Sequence, residues 1–139
     1  MATVILRDLE MGLTNEIKLL PKLQNYFRDN TIEKIDIRHC PFDYQSDDCL
    51  YELKTRRCKR CQYPTTIFPT SKFKFIPDKK KILIFDFIDG TYFIEYNNIL
   101  FETFKKETKR FRYDRPGVDK PVEYIYIPSD LLLPLETGV

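Results

Sequence analysis

The chain has 139 residues and a net charge of +2, enough length for one domain around a single core and too little charge to argue for or against nucleic acid. Its one histidine, His39, excludes two-histidine acid–base chemistry, and no Gly-x-Ser-x-Gly is present to seat a hydrolase triad. No apolar run approaches the ~18 residues of a membrane span, and Arg7, Asp8 and Glu10 stand where a signal peptide is apolar, so a soluble, intracellular protein without a membrane partner is expected.

Residues 1–12 read as a lead-in. Thr14 or Asn15 can cap a helix whose first turn holds Glu16, an acid suited to the positive end of the helix dipole. Ile17, Leu20, Leu23 and Phe27 recur at three- and four-residue spacing, which predicts an amphipathic helix to about Arg28. Pro21 lacks an N–H and should kink this helix or delay its start to near Leu20. Ile32, Ile35 and Ile37 suggest a first strand over Thr31–His39, and Pro41 restarts the chain into Phe42-Asp43-Tyr44.

From Cys49 the residues alternate, with Cys49, Tyr51, Leu53 and Thr55 on one face and Leu50, Glu52, Lys54 and Arg56 on the other, a period of two that predicts a β-strand. Two strand residues advance the chain by about 6.6 Å, which sets the Glu52 carboxylate beside the Lys54 ammonium. Gln45-Ser46-Asp47-Asp48 is turn chemistry, so the Asp43 and Glu52 segments form a hairpin. Asp43 then comes back beside Glu52, and two converging carboxylates suit a hard divalent cation. Asp47 and Asp48 are alternative ligands, but at the turn they lie far from Glu52. The triplet alone carries little weight, since Glu107-Thr108-Lys109 and Asp78-Lys79-Lys80 have the same form. The competing reading of Glu52 and Lys54 is a solvated pair on a sheet face.

Residues 57–72 read as a loop, with Pro64 and Pro69 barring a long helix. Between Lys54 and Lys81 ten Lys or Arg face one acid, Asp78, the footprint of a phosphate-binding surface or of a solvated loop. Arg56 and Arg57 belong to it as candidate backbone contacts. The cysteines at 40, 49, 58 and 61 are expected as reduced thiols. Cys58 and Cys61 form a Cys-x-x-Cys, but Cys40, Cys49 and His39 are not spaced to complete four ligands, so structural zinc is not expected.

Lys81–Phe87 and Thr91–Tyr96 are apolar strands joined through Asp89-Gly90, a hairpin signal. Asn98 to about Lys106 reads as a short helix. In Lys109–Arg115 arginines alternate with aromatics, and Arg110 and Arg112 can fork onto phosphates while the rings accept unpaired bases. A charge-protected edge strand is the other reading of that segment. Val122–Ile127 is a last strand, and Pro128-Ser129-Asp130 opens a closing helical turn through Leu131–Leu135. The order of elements gives an α/β (α+β) single domain with a central mixed sheet and an N-terminal helix.

The Asp43 … Glu52-Leu53-Lys54 arrangement resembles the strand pair of the PD-(D/E)xK nuclease superfamily, with Phe42 standing where the family name has proline. With a helix upstream carrying Glu16, the whole chain is similar to small stand-alone nucleases of large DNA viruses. The resemblance implies a restriction-endonuclease-like core and Mg²⁺-dependent hydrolysis of DNA, with Mn²⁺ able to substitute. Asp43, Glu52 and the Leu53 carbonyl would hold the metal, Lys54 would position the attacking hydroxide, and Glu16 would bind a second ion or orient water. A second Lys or Gln often folds over such a site, and Lys72 is the candidate, though neighbouring basic residues would serve. If the chain is viral, the host cytoplasm or nucleus, or the virion, is where it is expected. The sequence does not separate DNA from RNA. A non-catalytic nucleic-acid-binding or virion-structural protein is the alternative. Because one centre cuts one strand, a homodimer is the expected assembly for symmetric cleavage, with Tyr124, Tyr126 and Leu131–Leu135 as the apolar surface on offer, although packing onto the chain's own sheet is the first use expected of those residues.

Overall fold

Leu19 and Leu23, one helical turn apart, go into the core as their spacing requires. The computed structural model describes residues 16–35, 42–74, 79–109 and 121–135, and in it helix α1 runs through residues 16–26 without a break at the exposed Pro21. The later start near Leu20 is therefore not seen. The helix closes through paired bonds, Asp29 N–H to the Gln24 carbonyl at 3.0 Å and Arg28 N–H to that of Asn25 at 3.3 Å, with Arg28 in the left-handed region at φ 50. Such 6→1 and 5→2 bonds satisfy the last carbonyls and turn the chain sharply. Asp29 then stops it, its Oδ1 accepting from the N–H and hydroxyl of Thr31.

The strands are β1 (Glu33–Lys34), β2 (Tyr44–Gln45), β3 (Cys49–Thr55), β4 (Thr65–Pro69), β5 (Lys80–Phe87), β6 (Gly90–Glu95), β7 (Lys106–Lys109), β8 (Val122–Pro128) and β9 (Leu133–Pro134). They form a six-stranded sheet ordered β1-β2-β3-β5-β6-β9 and a three-stranded sheet ordered β4-β8-β7. Among the described strands only the β3–β5 pair is parallel, so the larger sheet is mixed. Its two faces separate by strict alternation. Tyr51, Leu53, Ile82 and Ile84 pack with Leu19 and Leu23 of α1, whereas Leu83, Phe85 and Phe87 pack with Phe68 of β4 and Ile125 and Ile127 of β8. Since β5 is buried on both faces, its sequence is continuously apolar from Ile82 to Phe85. The layers are therefore helix, mixed sheet and second sheet, a single α/β domain.

Several boundaries differ from the sequence expectation. The described part of the first strand is only β1, and residues 36–41 with His39 and Cys40 lie outside the described residues. Residues 57–72 are not all loop: β4 runs between Pro64 and Pro69, which bound the strand, and a 3-10 turn at Thr70–Lys74 follows. The helix expected from Asn98 is a single turn, α2 (Asn98–Phe101), capped by the Asn97 side chain. Its Ile99 is 80 % exposed while Phe101 is buried, and Lys106 begins β7 instead. Leu131–Leu135 is not helical beyond a 3-10 turn at Ser129–Leu131: Leu133 and Pro134 pair with Phe93 and Tyr92 at the sheet edge. The β5–β6 hairpin turns through Ile88-Asp89, and Gly90, at φ 153, takes a conformation that side chains resist.

Candidate active site

The hairpin register pairs Tyr44 with Tyr51 and Gln45 with Leu50, so one further step sets Asp43 against Glu52. Asp43 closes that step with both its backbone and its side chain: its N–H donates to the Tyr51 carbonyl at 2.9 Å, and its Oδ2 accepts from the Leu53 N–H at 2.8 Å. In a strand the N–H and C=O of one residue face the same neighbour. The Leu53 carbonyl therefore opens towards Asp43. Asp47 and Asp48 are exposed at the turn, the other end of the hairpin.

Glu52 points away from α1 into the space between the sheets and is 4 % exposed. Its Oε1 lies 3.4 Å from Lys54 Nζ and 3.5 Å from Lys72 Nζ, the latter delivered by the 3-10 turn after β4. Its Oε2 is buried with no hydrogen-bond partner among the described residues. Burial, and then the charge of Asp43, push the Glu52 carboxyl up to about 7 against the pull of both lysines. Burial likewise lowers Lys54. Desolvation thus works on both members of the ion pair towards their neutral forms, so the pair is strained rather than stabilising.

Glu16 reaches the same point from α1. Burial, a hydrogen bond with Asp43 and repulsion from its charge raise the Glu16 carboxyl to about 7, while Lys34, 3.3 Å away, opposes them. The Tyr44 hydroxyl donates to the Glu16 carbonyl at 2.5 Å, which ties the helix to β2. Lys34 was not anticipated. An ion pair between elements leaves no trace in local spacing.

The structure thus brings together Glu16, Asp43, Glu52, Lys54 and Lys72 from a helix, two strands and a turn. Of the proposed phosphate contacts, Arg56 donates to the Ile67 carbonyl at 2.8 Å and lies over the Phe85 ring at 5.7 Å, so it also fastens the end of β3 to β4. Arg57 is exposed. Arg110 and Arg112 lie outside the described residues. Cys58 is half-buried and Cys61 exposed.

Among the described residues no three of His, Cys, Asp and Glu are disposed to hold a metal ion. What the site offers a cation is a carboxylate pair supplemented by a carbonyl. A buried acceptor left without a donor, as Glu52 Oε2 is, costs free energy that a bound cation would recover, and oxygen donors of this kind suit Mg²⁺ with its retained waters. No family model, no curated protein and no solved structure matches this chain.

Proposed function

We propose that the chain is a Mg²⁺-dependent nuclease hydrolysing phosphodiester bonds in DNA. The observation that carries this reading is the buried Glu52 carboxylate, one oxygen flanked by two lysines and the other without a partner, facing Asp43 across a hairpin. Asp43, Glu52 and the Leu53 carbonyl would hold the metal, which when bound supplies an activated water and neutralises charge on the phosphate. Lys54 holds and polarises the attacking water beside Glu52. Lys72, at the same Glu52 oxygen as Lys54, would meet the phosphate oxygens. Glu16, with a carboxyl that changes protonation near neutral pH, orients water through Asp43.

The test is cleavage of supercoiled, linear, branched and single-stranded DNA with Mg²⁺ or Mn²⁺ and with EDTA. Asp43→Ala and Glu52→Ala should abolish cleavage and leave binding to DNA within several-fold. Cleavage by both variants at the wild-type rate would end the two-carboxylate reading. Metal-independent binding without cleavage by wild type would leave a nucleic-acid-binding protein instead.

A further inference from the structure

Beside the carboxylates runs a cleft of about 540 Å³ that the cleavage chemistry does not use. Lys54 is common to both, so an occupant of the cleft would lie next to the carboxylate site. Its walls also carry Arg56, Lys59 and Arg60, and no acidic side chain is among the described residues that line it. Arg60 is fixed in the wall, Nε donating to the Ser129 carbonyl at 3.2 Å and Nη2 to that of Leu132 at 3.4 Å. Three aromatic residues line the space: Phe87, buried in the floor, Tyr124, half-buried on β8, and Tyr63, 56 % exposed. An aromatic of that size left open beside fixed cations is the composition that receives a base and its phosphate, the ring stacking on the base and the cations meeting the backbone. The volume is that of a site for one small molecule rather than a channel for a duplex.

We propose that this cleft takes an unpaired nucleotide adjoining the scissile phosphate, so that the chain acts on unstacked strand, whether a single strand, a bubble or a junction, in preference to continuous duplex. The position of the cut bond rests on the nuclease reading above. In continuous duplex every base is stacked and paired, and filling the cleft requires one to be turned out at a cost of a few kcal/mol. A strand that is already unpaired avoids that cost. The base and phosphate chemistry is common to DNA and RNA, so both are used as probes.

The experiment measures binding of Glu52→Gln protein in Mg²⁺ to four labelled probes of one sequence: single-stranded DNA, single-stranded RNA, continuous duplex and duplex with a central bubble. At least one single strand, and the bubble, should bind tenfold or more tighter than continuous duplex, about the effect of one stacked base. Adding Tyr63→Ala should remove about that factor for unpaired probes and leave the duplex unchanged, while Tyr63→Phe should keep it. Equal affinity for all four, equal losses on all four in Tyr63→Ala, or a mononucleotide that binds without displacing the strand would overturn the proposal. Wild-type cleavage measured in parallel separates the two ideas. Carboxylate-dependent cleavage without strand preference overturns the cleft alone, whereas strand preference without any cleavage supports the cleft and overturns the nuclease.

Discussion

Glu52 is the residue on which the site's energetics turn. Folding raises its carboxyl from 4.5 to about 7, so between those pH values the folded protein holds a proton that the unfolded chain has released. Its contribution to stability is therefore full below the lower value and lost as pH rises through the upper one. In EDTA, Glu52→Gln should be more stable than wild type at pH 8 by about 2–3 kcal/mol and nearly equal to it at pH 4.5, which urea melts at the two pH values would check. Mg²⁺ should return stability to wild type at pH 8 and not to the variant, since a ligand of the native state stabilises by mass action. Lys54→Met should slow the single-turnover step while leaving metal affinity nearly intact, because a cation beside the water acts mainly in the transition state; an unchanged rate would make Lys54 a bystander. Glu52 and Lys54 were legible in the sequence because β3 alternates so cleanly. Glu16 and Lys72 came only from a family resemblance, and Lys34 from neither, since contacts between elements are set by tertiary packing.

At the scale of elements, α1 matters because it carries Glu16 to Asp43. It ends on a non-glycine residue with positive φ, Arg28, a conformation that costs an L-residue about 1 kcal/mol or more. Arg28→Gly should therefore stabilise the protein by about 0.5–1 kcal/mol, raising the melting temperature by roughly 2–4 °C; a lowered melting temperature would mean that the exposed Arg28 side chain holds the turn. The elements that sequence misplaced share a physical cause. β4 hid behind Pro64 and Pro69, which act as breakers in a helix or central strand but are tolerated at the ends of this edge strand. The α2 helix ends after one turn at Phe101, short of the expected Lys106, and its Ile99 and Leu100 are exposed, so only Phe101 anchors it to the core. Of the closing leucines, Leu132 and Leu135 are buried on opposite faces of the larger sheet while Leu131 and Leu133 are exposed, a division that a short apolar run does not reveal.

For the whole molecule, that division of leucines bears on assembly. Two of the residues proposed for a dimer surface are spent on the core, and Leu131 and Leu133 remain outside. Cutting both strands of a duplex still calls for a second copy related by a two-fold axis. Light scattering at tens of micromolar should give about twice 16.7 kDa for the protein alone and that mass plus the DNA with a symmetric junction, and a monomer mass in both would leave the proposed activity to strand nicking. The parallel pairing of β3 with β5 also sets an order in time. The β2–β3 and β5–β6 hairpins join neighbours in sequence and can zip locally, whereas the β3–β5 ladder waits until residues 56–79 have crossed over and laid down β4. That same crossover delivers Lys72 to Glu52. The hairpin that carries the carboxylates should therefore form before Lys72 reaches it, and a refolding protein should regain its hairpin signals before any cleavage that the nuclease proposal calls for.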